Sequence, residues 1–250
     1  MPFTPSHVAA IVPLRRLLPP AALTVGALVP DLPYYVPTPF SSETTHAWWG
    51  APLADLPVGL AVLLLFQLLV RTPLTSLAPA GLRARLPERA PSPRFAATAA
   101  AVLAGVVTHL AWDAFTHVDG FAVVHWPIMR VSVAGVHRLF NVVMYVSSLG
   151  GLAAIAIWFA VWYRRTPARP GRPPGVPARV RVMVAAACTA AAVAGAVLQA
   201  HRGVAAVSLY DLVRCVLLGG IEGVAAVLAC YVAAWHAGAR PRSRPAAESR

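Results

Sequence analysis

An all-α fold, a polytopic transmembrane helix bundle with an N-terminal helical hairpin, is what this sequence predicts, on three observations. The first is composition: 58% of the residues are hydrophobic and only 12% charged, against about 25% charged in average soluble domains, and mean hydropathy is +0.65. The second is a set of apolar windows, Leu53–Val70, Phe95–Phe115, Leu139–Tyr163 and Val180–Ala200, with another inside Val204–Trp235. Each approaches or reaches the roughly 20 residues needed to cross a bilayer. The third is the placement of arginine, which concentrates in Arg71–Arg94, Arg164–Arg181 and Arg240–Arg250, between or after those windows. That is the positive-inside pattern, and its simplest assignment places all three stretches in the cytoplasm.

The start, Met-Pro-Phe-Thr-Pro-Ser-His, has no basic n-region, so no cleavable signal peptide is expected and the spans themselves direct insertion. One apolar segment follows Ser6-His7 and ends at Leu14, with Thr4 or Ser6 as candidate N-cap. Arg15-Arg16 and the break at Pro19-Pro20 separate it from a second segment, Ala21–Val29, which ends at Pro30-Asp31. Each segment is about ten residues, roughly 15 Å as helix, or half a bilayer. Folded as a hairpin, they set His7 beside Asp31 and place both arginines at the turn.

Five full spans follow. The first runs outside to inside and the rest alternate, which brings the C-terminus to the cytoplasm and puts His46 and His117 on the extracytoplasmic side. Asp211 and Arg214 fall early in the last apolar run, so an interfacial turn is expected there, with the two charges neutralising one another and the helix proper running from about Cys215 to Trp235. The expected organisation is one membrane-embedded domain over 1–237 and a disordered basic tail over 238–250.

The densest chemistry lies in Thr-His-Leu-Ala-Trp-Asp-Ala-Phe-Thr-His, Thr108 to His117, where His109, Asp113 and His117 recur every four residues. On a helix that spacing stacks them on one face. Neutral imidazoles converging with a carboxylate suit a borderline divalent cation such as zinc, and a lipid-embedded helix has little other reason to carry them. A hydrogen-bonded core histidine is the plainer reading of His109 taken alone.

Other polar positions admit two readings each. Glu43 is either a general base acting on water or an exposed loop carboxylate. Asp119, His125 and His137 are solvated loop residues, or Asp119 and His125 line the site. Glu222 turns into the bundle and protonates, or joins the site. Cys188, Cys215 and Cys230 lack metal-like spacing and read as small buried hydrophobes. Neither a phosphate-binding glycine loop nor a nucleophile elbow is present, which argues against ATP-driven and serine-hydrolase chemistry. The net charge of +12 sits in loops beside spans, so membrane lipids rather than nucleic acid are the expected partners. A metal transporter is disfavoured because the candidate ligands gather at one face with no second relay across the bundle.

Met-Pro-Phe-Thr-Pro-Ser-His7, Gly26-Ala-Leu-Val-Pro-Asp31-Leu-Pro-Tyr, Thr45-His46 and Thr108-His109-Leu-Ala-Trp-Asp113-Ala-Phe-Thr-His117 together resemble an uncharacterised "domain of unknown function" family of bacterial integral membrane proteins. More distantly, their order is similar to that of membrane-bound metal-dependent hydrolases and zinc-dependent phospholipase C. The resemblance implies a multi-pass protein of the bacterial cytoplasmic (inner) membrane. It further implies that His7, Asp31, His46, His109 and Asp113 bind metal, with His117 a further candidate, and that one or two divalent ions, zinc foremost, are the cofactor. Two ions would share Asp31 or Asp113, polarise a phosphoryl oxygen and activate water. The implied activity is hydrolysis of a phosphoester such as a phospholipid headgroup; Asp113, from the resemblance, and Glu43, from its own reading as a general base, are the candidate catalytic residues. The chain departs from the soluble phospholipases in lacking a His-x-x-x-Glu pair in its second half, which leaves open a non-catalytic membrane protein with a structural metal site.

Overall fold

The computed structural model describes residues 3–87, 94–171 and 175–238. Almost all of it is helix, and five helices are long and apolar enough to cross a membrane: Ala51–Leu77, Phe95–His125, Leu139–Arg165, Ala178–Ala200 and Leu209–Gly238. The all-α, multi-span expectation therefore holds. The first span extends seven residues beyond the apolar window at its C-terminal end because a polar, helix-compatible stretch, Arg71–Leu77, continues it.

The last span begins earlier than expected, at Leu209. Ser208 and Asp211 form a capping pair there: the Asp211 N–H donates to Ser208 Oγ at 3.1 Å and Ser208 Oγ donates to Asp211 Oδ2 at 2.5 Å. Asp211 thus takes the serine as its partner in place of Arg214, and the expected interfacial turn is the first turn of a helix.

The N-terminal hairpin is built of short pieces. Thr4–His7 and Pro13–Arg16 are 3-10 turns flanking one turn of α-helix, Val8–Ile11. After the Pro19-Pro20 break, Pro20–Leu28 is α-helical and Val29–Tyr34 is 3-10 again. Prolines at 5, 13, 30 and 33 each remove a backbone donor, so no long i to i+4 ladder can run through these stretches. Neither Thr4 nor Ser6 caps the first turn; the N-cap is Phe3, without a side-chain bond. The Ser6 hydroxyl donates to the Phe3 carbonyl at 2.6 Å, and the Thr4 hydroxyl is used elsewhere.

By contact the chain divides into two compact units, one within Met1–Gln67 and Arg85–Arg169, the other within Leu68–Ala84 and Pro170–Arg250. In the first unit, helix Pro20–Leu28 lies against the second span's helix, Phe95–Thr116, over a core of Ile11, Leu23, Ala27, Val102 and Val106. Glycine sets the approach. A Cβ on Gly26 would stand 2.1 Å from the Val102 carbonyl oxygen, and one on Gly105 would stand 2.3 Å from that of Leu23, so the two backbones meet with nothing between them.

In the second unit the fourth and fifth spans meet in the same way at Gly195 and Gly219. Gln199 Nε2 donates to Glu222 Oε2 at 2.8 Å, which answers the question of Glu222: it faces a neighbouring span and is hydrogen-bonded. Of the cysteines, Cys215 is buried, Cys188 half-buried and Cys230 exposed on its helix; all three are free. The burial expected for all three holds for Cys215 alone, because Cys230 lies on a helix surface that the protein does not cover. The basic tail predicted over 238–250 lies, apart from Gly238, outside the described residues.

Candidate metal centre

Four segments far apart in sequence meet in the first unit. Asp31 comes from the 3-10 turn after the N-terminal helix, where Pro30 and Pro33 bracket it. His46 follows the short helix Ser42–Thr45, which Ser41 caps by accepting the Thr44 N–H. His109 and Asp113 are one turn apart on the second span, four residues beyond the glycine that lets this helix touch its neighbour. His7 ends the first 3-10 turn.

One ligand atom from each of Asp31, His46, His109 and Asp113 lies within 4.8 Å of all the others. His46 Nε2 stands 3.3 Å from Asp31 Oδ1 and 3.4 Å from Asp113 Oδ2; His109 Nε2 stands 3.6 Å and 3.3 Å from the same two oxygens. Bonds of about 2.0–2.1 Å in tetrahedral array set ligand atoms about 3.3–3.4 Å apart, the spacing a zinc-sized ion requires.

The hydrogen bonds behind these atoms fix the tautomers that ligation needs. His109 Nδ1 donates to the Ala27 carbonyl and His46 Nδ1 to the Ser42 carbonyl, each at 2.9 Å. With Nδ1 so engaged, Nε2 is the nitrogen that each ring turns towards the carboxylates, and it is available to a cation once it carries no proton. Asp31 is held in turn: Thr4 Oγ1 donates to its Oδ2 at 2.5 Å, and Tyr35 Oη donates to Thr4 Oγ1 at 2.9 Å. His109 Nε2, Asp31 Oδ1 and Asp113 Oδ1 are buried without a hydrogen-bond partner. Unpaired polar atoms converging in an apolar interior are costly unless a cation completes them. The residues fit a divalent metal.

His7 stands beside this group. It is fully buried, both ring nitrogens lack a hydrogen-bond partner, and Nε2 lies 3.6 Å from Asp113 Oδ1. Asp113 thus faces His46 and His109 with one oxygen and His7 with the other. Burial, with the neighbouring His109 second, pushes the His7 imidazole down to about 4, so it is neutral and basic only as a ligand. His46 behaves oppositely: burial would lower it, but the Asp113 and Asp31 carboxylates beside its Nε2 prevail and hold it up at about 10. Asp31 stays below the ordinary carboxylate range, burial being outweighed by His46, His109 and Thr4.

His117 is not on the helical face that the four-residue spacing suggests. The helix ends at Thr116, and His117 has extended backbone, φ −90° and ψ 145°. The chain then doubles back so that a Cβ on Gly120 would stand 2.4 Å from the Asp113 carbonyl oxygen. His117 Nδ1 accepts the Asp119 N–H at 3.4 Å, and its ring centroid is 6.4 Å from that of His46.

A cleft of about 540 Å³ leads to the centre, lined by Tyr34, Glu43, His46, Asp113, His117, Asp119 and Phe121 among others. Glu43 and Asp119 line the same cleft as His46 and Asp113, and both are exposed, so each is a solvent-facing carboxylate on its wall. His125 and His137 are exposed and outside the cleft lining, but neither is in a loop: His125 ends helix Phe121–His125, its Nδ1 donating to the Phe121 carbonyl at 2.8 Å, and His137 opens the short strand His137–Arg138. Among the described residues no arginine lines the cleft, in a chain with 21 basic residues and nine acidic ones.

Asp55 is the residue that sequence reasoning passed over. It lies in the π turn that opens the first span, is fully buried, has no hydrogen-bond partner for either oxygen, and is within electrostatic reach of His46 and His109. The signal was available: an acid inside an apolar window is expensive and marks a site by default.

A family model described as "Domain of unknown function (DUF4184)" matches residues 1–233, a stretch that contains every residue of the centre. No curated protein and no solved structure matches the chain.

Proposed function

The chain belongs to the DUF4184 family, and from its geometry we propose that it is a membrane-bound, metal-dependent hydrolase acting on a phosphoester. The observation that carries this reading is the convergence of Asp31, His46, His109 and Asp113 at tetrahedral spacing on the floor of a cleft. Those four residues would hold one divalent ion, and the donor set of two imidazoles and two carboxylates suits zinc. His7 and the second oxygen of Asp113, 3.6 Å apart, are the groups that would hold a second ion. Bound there, the ions supply Lewis acidity towards a phosphoryl oxygen and lower the pKa of water.

The protein's own groups do the rest. The Ala27 and Ser42 carbonyls keep His109 and His46 in the ligating tautomer, and Thr4 fixes the rotation of the Asp31 carboxylate. Glu43, on the cleft wall, accepts the proton of the attacking water. His117 accepts the Asp119 N–H on Nδ1, which leaves its Nε2 N–H to hydrogen-bond a phosphoryl or leaving oxygen.

A structural metal site is the second reading, favoured by one observation: the same four ligands tie together three segments, two of them short and proline-rich or only four residues long. Protein purified in detergent separates the two by metal analysis and a phosphodiester panel. The hydrolase reading expects about two ions per chain, turnover of at least one phosphodiester, and an Asp113→Ala variant that stays folded but inactive. One ion, no turnover and loss of folded Asp113→Ala protein would overturn it in favour of the structural role.

A further inference from the structure

After helix Phe95–Thr116 and before the third span the chain builds a folded platform from helix Phe121–His125, the C-terminal end of the second candidate span, the 3-10 turn Pro127–Arg130, and a hairpin of β1 (Ser132–Ala134) and β2 (His137–Arg138). It has a small core of its own, Val123, Met129 and Phe140, with Ala122 also buried. Its outer face is the unexpected part. Phe121, Val124, Trp126, Ile128, Val133 and Val136 are all exposed, Val136 at the hairpin tip most of all at 89%. A loop facing water would reverse this arrangement, with polar residues outward.

The platform is tied at both ends to helices long and apolar enough to span a membrane, so it lies at a bilayer boundary by chain continuity. Apolar and aromatic side chains with exposed Arg130 and Arg138 among them are the composition of a segment lying in the headgroup and upper acyl region. Phe121 belongs to both the platform and the cleft wall, so the exposed apolar set reaches the mouth of the cleft. We infer that residues 121–136 form a lipid-immersed ramp that feeds the cleft from the bilayer, so that the phosphoester it receives is that of a membrane lipid, not of a water-soluble compound. The inference about the substrate rests on the hydrolase reading above; the immersion of the platform does not.

The test has two arms, both on the full chain in liposomes of mixed phosphatidylethanolamine and phosphatidylglycerol. In a background with Cys188, Cys215 and Cys230 replaced by Ala, spin labels are placed at Val133→Cys or Val136→Cys, with exposed Arg169→Cys as the aqueous control. Labels at 133 and 136 are expected to collide with oxygen and to be shielded from a water-soluble nickel chelate at least threefold more than the control. Chelate access equal to the control, or shielding from both reagents as beneath a partner protein, overturns the immersion. The second arm compares wild type with a Val133→Glu, Val136→Glu variant on vesicle phospholipid and on bis(p-nitrophenyl) phosphate. A tenfold or greater loss on vesicles with the soluble ester unchanged is expected. Equal effects on both substrates overturn the lipid-feeding role, and inactivity of wild type towards both, with labels still immersed, overturns the hydrolase reading and the substrate inference together.

Discussion

The His7 ring lies flat against the His109 ring, centroids 3.9 Å apart and planes 20° from parallel. Two imidazolium rings in that contact would repel one another in a medium that screens poorly. The stack therefore suits rings whose lone pairs are given to something else, and burial beside His109 accordingly lowers His7 to about 4. His46, outside the stack and between two carboxylates, holds its proton to about 10.

Cation uptake is consequently a proton exchange at His46. With its pKa raised, His46 is protonated across the neutral range, so an incoming ion must displace that proton. Apparent affinity should fall as pH drops, by about tenfold per unit between pH 6 and 9. Wild type should release about one proton more per chain than His46→Ala when zinc is added in weakly buffered solution. Equal release from the two proteins would mean that His46 is not a ligand. For the metal-stripped chain the sign reverses: the His46 ion pairs stabilise fully below about pH 6.5, its ordinary value, and that stabilisation is lost as pH rises through about 10.

Thr4→Val tests the outer layer of the centre. It deletes the hydrogen bond to Asp31 Oδ2 with little change of volume, and removal of such a partner weakens metal affinity about 10- to 100-fold. Competition against a chromophoric chelator measures it.

Gly105→Ala tests the helix contact beneath the centre. The added methyl would meet the Leu23 carbonyl oxygen at 2.3 Å, forcing the backbones apart at a cost of about 1–3 kcal/mol and drawing His109 away from Ala27. Both thermal stability and metal content should drop. Gly150→Ala, where nothing lies within 4 Å, should leave both unchanged or raise stability by up to about 1 kcal/mol.

Asp55→Asn removes a charge within electrostatic reach of His46 and His109 but no ligand atom. It should weaken zinc binding less than Asp113→Asn does, by about tenfold or under, while making the metal-stripped protein more heat-resistant because a buried carboxylate without partners is replaced by a neutral amide. A metal-stripped variant less stable than wild type would count against the assignment.

Much of this was legible in the chain itself. Span positions follow from hydropathy because lipid leaves the backbone no alternative to helix, and His109 with Asp113 follows from a four-residue spacing that survives any context. The pairing of Asp31 with this helix came only with the family resemblance, which implied both as ligands. His117 was misplaced on the helix because spacing carries no information about where a helix stops: the end at Thr116 is set by the close return of Gly120. Asp55 stayed hidden because its importance depends on which side of the first span turns inward, a matter of tertiary packing. The fragmented N-terminal turns were visible as prolines, but the use of the Thr4 hydroxyl as a brace for Asp31, and not as a cap, required three dimensions.

The order of the ligands along the chain has a consequence for biogenesis. Asp113 is the last of the four to leave the ribosome, so no ion can be captured until the second apolar helix has been threaded into the bilayer. From that moment, with the later spans still unmade, the cluster is chemically complete. An ion bound there would tie the N-terminal hairpin to the second span before the later spans are made.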